Sequence, residues 1–168
     1  GTHLLDAARA SIGEASSLYC QTQRTLVPRV KGENVATLLL AMGKARTSVV
    51  IETAFAKTPL ERECFPQTLA FVEGPLGSIE LGTDYTLRVT TSRGTEVTRH
   101  LPPSYPWANP DYLIAHASIV PCHANLLAAL RGASEAETTG QDNLKTLELV
   151  FGAYDSARRD AVVHFDHE

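Results

Sequence analysis

Near the end of the chain, Leu144, Leu147, Phe151 and Tyr154 recur at three- and four-residue steps, and Val150 and Ala157 widen the stripe. That spacing puts them on one side of an α-helix. Thr139 precedes the stripe as a cap for first-turn N–H groups. Asp142 follows three residues on, where a carboxylate meets the positive helix end. At the other end of the chain, Leu4, Leu5, Ala8 and Ile12 share one side of a short helix over 3–12, with Gly13 as its stop.

Between these ends the period shortens. Residues 17–27 alternate loosely, 35–42 are mostly apolar, and 47–55 are rich in β-branched side chains, with Gly43-Lys44 as a hairpin turn. Residues 69–73 and 78–81 flank Gly74-Pro75-Leu76-Gly77, which carries turn punctuation. Over 85–91, Leu87 and Val89 alternate with Thr86, Arg88 and Thr90, leaving one polar face, and Ser92-Arg93-Gly94 turns into 95–101. A loop over 102–109 holds three prolines with Tyr105 and Trp107. Asn109-Pro110-Asp111 then supplies a cap, a proline at the first helical position and a first-turn carboxylate. This helix should run to about Arg131, with a kink or break at Pro121, which removes one backbone hydrogen bond. Residues 162–165 add a last short strand. Strands followed by helices predict an α+β fold: a mainly antiparallel, open-faced sheet of about six or seven strands with helices on one face.

Composition narrows the field. A chain of 168 residues is sized for a single domain, and 43% hydrophobic with 20% charged residues is ordinary for a globular protein. A net charge of -4 argues against a nucleic-acid surface, which needs clustered Lys and Arg. Cys20, Cys64 and Cys122 are odd in number and widely spaced, so buried reduced thiols are expected. No apolar run approaches the length of a membrane span, and 35–43 is far too short. No secretory leader is expected, since the first residues lack the charged, apolar and small-residue pattern that directs secretion. A cytoplasmic protein without membrane or nucleic-acid partners is the expectation.

Little of the usual catalytic machinery is visible. There is no G-x-G-x-x-G, and Gly43-Lys44 lacks the upstream glycine of a phosphate loop. Ser11, Ser16 and Ser17 have no elbow glycines around them. Glu61, Arg62 and Glu63 form a solvated charge run, and Asp6 with Arg9 is a helix pair at i, i+3. His116 and His123 are seven residues apart on one helix, two turns rather than one, so no metal site is expected. His116 either faces a substrate cleft or makes a structural hydrogen bond. Tyr105, Trp107 and Tyr112 either stack on a sugar ring or pack the loop against the sheet edge. His3 is of the residue type that suits proton transfer near neutral pH, although a helix-start histidine with no chemistry has the same appearance.

The opening Gly1-Thr2-His3-Leu4-Leu5-Asp6 and the closing Thr139-Gly140-Gln141-Asp142-Asn143-Leu144 through Phe151, Tyr154, Ser156 and Ala157 resemble the two ends of the C-terminal domain of Gfo/Idh/MocA oxidoreductases. Between them, Glu73-Gly74-Pro75-Leu76-Gly77-Ser78-Ile79-Glu80-Leu81 resembles a hairpin common in that family. The resemblance implies one C-terminal domain over 1–168 for substrate binding and oligomerisation, lacking its own first helix and strand. It implies a missing N-terminal Rossmann domain holding NAD or NADP, with no cofactor expected on this fragment and no turnover from it alone. His3 would be the proton-transfer residue beside a sugar, cyclitol or related polyol. Tyr105, Trp107, Tyr112 and His116 would serve the substrate, and a homo-oligomer would form through the sheet face. A non-catalytic α+β interaction module, or a small-ligand-binding α+β cone, would carry the same sequence features.

Overall fold

The computed structural model describes residues 1–25, 31–54, 68–82 and 85–166. The chain divides into two compact units, Gly1–Ala56 with Thr138–Glu168, and Lys57–Glu137.

In the first unit, helix α1 (Thr2–Ile12) leads into strands β1 (Ala15–Gln23), β2 (Val35–Met42) and β3 (Thr47–Ala54); helix α3 (Gly140–Arg159) and the short strand β8 (Val163–His164) complete it. The strands form an antiparallel sheet in the order β3-β2-β1-β8. Register explains its two faces. Cys20 pairs with Leu38 and Leu38 with Ile51, while Leu18 pairs with Leu40, so these side chains share one face. That face is buried together with Met42, Leu5 from α1 and Leu149 from α3. Leu18, Leu40, Met42 and Leu149 are almost completely enclosed. Each contributes roughly 1.5–3 kcal/mol of hydrophobic stabilisation. Tyr19, Leu39 and Val50 form a row on the opposite face, where Leu39 and Val50 are exposed.

Local chemistry at the ends of α1 and α3 follows the sequence. The Thr139 side chain accepts a hydrogen bond from the Asp142 N–H at 3.1 Å. Gly13, at φ 111°, ends α1 in a conformation that a side chain resists. The face that α3 buries differs from expectation. Leu144 and Phe151 are 63% and 68% exposed, and Leu147 and Tyr154 are exposed as well. Thr146, Leu149, Gly152 and Ser156 are buried instead. The buried hydroxyls hold partners: Ser156 Oγ accepts from the Cys20 N–H at 2.9 Å and donates to the Ala161 carbonyl at 2.7 Å. Gly152 makes room for the Phe165 ring, since a Cβ there would lie 2.6 Å from Cζ. Gly152→Val should therefore lower stability by ~1–3 kcal/mol through overpacking. An unchanged thermal melting temperature would contradict this packing.

In the second unit, β4 (Thr68–Gly74), β5 (Gly77–Gly82), β6 (Thr86–Thr91) and β7 (Gly94–Arg99) form an antiparallel meander in sequence order. The turns fall at Gly74-Pro75-Leu76-Gly77 and Ser92-Arg93-Gly94, as expected. Gly77 has φ 145°, and a Cβ there would fall 1.9 Å from the Thr90 carbonyl oxygen, so no other residue fits. Asn109 caps a 3-10 turn over Pro110–Tyr112, and helix α2 (Leu113–Leu130) follows.

The α+β class and the antiparallel strands stand, with the strands divided between two four-stranded sheets. Two expectations are corrected and a third is narrowed. Helix α2 continues through Pro121, so of the kink or break expected there the break is excluded. Pro110–Leu130 is one helix long and apolar enough to cross a membrane by length and composition. The expectation that no apolar run approaches a membrane span is thereby overturned, because His116, Ser118, His123 and Asn125 interrupt the run without adding a fixed charge. Cys122 is exposed, whereas Cys20 is buried as expected and Cys64 lies outside the described residues. The ends of two expected strands, at Val27 and Phe55, and the run Glu61, Arg62, Glu63 lie outside them too.

Candidate functional site

The first turn of α1 carries His3. Its side chain is exposed and makes no hydrogen bond to any described residue. The backbone of that turn is closed by the Leu4 and Leu5 N–H groups, which donate to the Gly1 carbonyl at 3.1 and 3.2 Å.

What holds α1 in place is Arg9. Its guanidinium donates through Nε and Nη2 to both Glu14 carboxylate oxygens, each at 2.9 Å. Nη2 also donates to Asp142 Oδ1 at 2.9 Å, and Nη1 donates to Thr146 Oγ1 at 2.7 Å and the Asp142 carbonyl at 3.1 Å. All five guanidinium N–H groups are thereby used. Thr146 Oγ1 donates onward to Asp6 Oδ1 at 2.8 Å, and Lys145 Nζ reaches Glu14 at 3.2 Å. The Arg9 side chain is only 5% exposed. The i, i+3 partner foreseen for it, Asp6, lies at 3.7 Å and is the longest of its ion pairs.

Hydrogen bonding from Arg9 holds the Glu14 carboxyl down to about 2, with Lys145 adding to the effect. A folded-state value below the ordinary 4.5 means Glu14 stabilises the fold at pH above 4.5. That contribution fades as pH falls from 4.5 toward 2. Partial solvent access screens the gain to ~1–2 kcal/mol. Acid unfolding of Glu14→Gln should accordingly show a flatter stability loss across that window, measured by denaturant titration at stepped pH. An identical slope would exclude Glu14 as the titrating group.

Beside the start of α1 the first unit contains a cavity of about 380 Å³. Gly1, Thr2 and Leu5 line one side, the strand ends with Thr22, Ala36 and Thr53 another, and Val150 and Tyr154 of α3 a third. The Tyr154 hydroxyl donates to Glu33 Oε1 at 2.6 Å, and this carboxylate partner pushes the phenol pKa upward. Burial pushes the Cys20 thiol pKa upward.

The second unit gathers three of the four expected substrate residues. The Tyr105 and Trp107 rings stack at 5.3 Å, and His116 meets Trp107 edge-on at 5.2 Å. Tyr112 is exposed and joins no ring contact with described residues. His3 belongs to the first unit and the aromatic cluster to the second. Sequence reasoning missed the Glu33–Tyr154 pair, because Tyr154 counted as core and Glu33 stood in a connection with no motif.

No family model matches the chain. Over 163 residues it is 39% identical to the D-apiose dehydrogenase of Paraburkholderia graminis, covering 97% of this chain and 43% of that protein. The chain is similar to D-apiose dehydrogenases. Another, from Rhizobium rhizogenes, is 36% identical over 97% of this chain and 46% of its own length. The chain thus spans somewhat less than half the length of the relatives it matches. An oxidoreductase from Agrobacterium radiobacter, solved with NAD+, L-tartaric acid and magnesium, superposes at a TM-score of 0.88 with 33% identity, over 98% of this chain and 47% of that one. An aldose-aldose oxidoreductase from Caulobacter crescentus shares the fold at a TM-score of 0.66 and 21% identity, over 98% of this chain and 46% of that one.

Proposed function

We propose that this chain is the C-terminal, substrate-binding half of an NAD- or NADP-dependent sugar dehydrogenase of the Gfo/Idh/MocA type. The carrying observation is identity of 36–39% to D-apiose dehydrogenases along 97% of the chain. Those relatives are more than twice as long, and the further length is room for a separate dinucleotide-binding domain. The absence of G-x-G-x-x-G from this sequence agrees with a cofactor held elsewhere in the parent protein.

When bound, the nicotinamide coenzyme supplies the hydride acceptor. On this reading the chain's residues do the rest. The exposed His3 imidazole takes the hydroxyl proton as the C–O bond gains double-bond character. Exposed apolar side chains on α3, Leu144 and Phe151, suit burial against the remaining half of the parent. The row of Tyr19, Leu39 and Val50 on the open sheet face suits pairing with a second copy.

The test is the parent protein, assayed with NAD and with NADP against D-apiose and other aldoses and polyols. Reduced nicotinamide should accumulate with at least one of them. No reduction across the panel, with the protein folded, would remove the proposal.

A further inference from the structure

Helix α2 and the turn before it carry a pattern separate from the ring cluster at their start. Tyr112, Ile119 and Leu126 recur at every seventh residue, and Ala115, Cys122 and Ala129 recur at the same interval three residues on. These are the two heptad positions that face a partner helix, with large side chains at the first and small ones at the second. Tyr112, Ile119 and Leu126 are 62%, 47% and 51% exposed, and Ala115 and Cys122 are exposed beside them. Leu113, Ala117 and Val120, on the opposite side of the helix, are half-buried. No Asp, Glu, Lys or Arg lies between Asp111 and Arg131, which are exposed at the two ends.

Exposure alone leaves the occupant open; the order of the side chains names it. Laid antiparallel on a copy of itself, the helix sets Tyr112 against Ala129, Ile119 against Cys122 and Leu126 against Ala115 of the other copy. Each layer then holds one large and one small side chain, which is how facing helices interdigitate. The same alignment brings Asp111 within one residue of Arg131 of the other copy, so opposite charges meet at both ends. A face that matches itself in shape and in charge is what a two-fold contact requires. We propose that α2 pairs antiparallel with α2 of a second copy of this chain, about a two-fold axis near Val120 and Pro121. Pro121 stands outside the seam, so its ring does not obstruct the contact. The pairing uses the second unit alone and is distinct from the sheet row of Tyr19, Leu39 and Val50. The length and composition of Pro110–Leu130 also fit a bilayer, an occupant that the vesicles below decide.

The experiment is cross-linking of the parent protein and of this chain with a short bismaleimide, alongside sedimentation. Cys122 is exposed and close to the two-fold, so both should give a covalent dimer that Cys122→Ala abolishes. Asp111→Arg sets like charges against each other at both ends and should weaken pairing about tenfold. Combining Asp111→Arg with Arg131→Asp restores opposite charges and should return pairing to its starting level. Leu126→Glu, a charge within the seam, is the further variant and should abolish pairing. These side chains are exposed, so circular dichroism should show an unchanged fold. Absence of the cross-link overturns the proposal, as does pairing indifferent both to the charge reversal and to Leu126→Glu. A cross-link in this chain that the parent does not form also overturns it and assigns the face to the rest of the parent. Partition of this chain onto phosphatidylcholine vesicles in place of pairing does the same in favour of a bilayer. The readout is a covalent dimer rather than turnover. An active parent without that dimer ends this inference and leaves the proposed function standing, and a cross-linked but inactive parent does the reverse.

Discussion

His3→Ala in the parent protein should lower turnover by ~10²–10⁴-fold, the usual worth of a general acid–base residue. The fold should be unaffected, because the side chain is exposed and holds no partner among the described residues. Three readouts separate chemistry from structure. Thermal stability and mass in solution should match the parent, kcat should fall far more than KM rises, and added imidazole should restore part of the lost rate. A folded variant with parental turnover would favour the reading in which this half serves only association.

Arg9→Ala should be the most damaging change to the fold. The guanidinium is 5% exposed and joins α1 to α3 through Glu14, Asp142 and Thr146. Removing it takes the nearer cation from Glu14, which keeps Lys145, the cation from the Asp142 carboxylate, and one of two partners from the Thr146 hydroxyl, which keeps Asp6. Breaking a buried ionic network from one side costs ~3–5 kcal/mol, a large share of the stability of a small domain. The drop should appear as a lower midpoint in denaturant unfolding monitored by circular dichroism, with faster amide exchange in α1 and α3. Arg9→Met, which keeps the stem, should recover only part of the loss. A destabilisation under ~1 kcal/mol would mean the network is solvated and of little consequence.

Much of the fold was legible because its determinants are local. Turn glycines at Gly43, Gly77 and Gly94 occupy positive φ in the structure, and the hairpins close where the sequence punctuates them. Thr139 and Asn109 cap their helices through hydrogen bonds spanning two or three residues. The candidate site was legible only in part. The Tyr105, Trp107 and His116 cluster follows from residues close along the chain, one turn of helix beyond a proline-stiffened loop. Glu33 and Tyr154 are 121 residues apart and announce themselves by no spacing.

By its own pattern the chain determined its strands, turns, helix caps and α+β class, since each depends on neighbours a few residues away. Which face of α3 turns inward was decided only in three dimensions. Counting apolar side chains favoured Leu144, Leu147 and Phe151. Thr146 and Ser156 went inside instead, because partners from α1 and β1 satisfy their hydroxyls there. Burying a polar group is unfavourable when it is alone and acceptable when it is paired. Pairing across 136 residues is a property of the folded chain, which periodicity along the sequence cannot express.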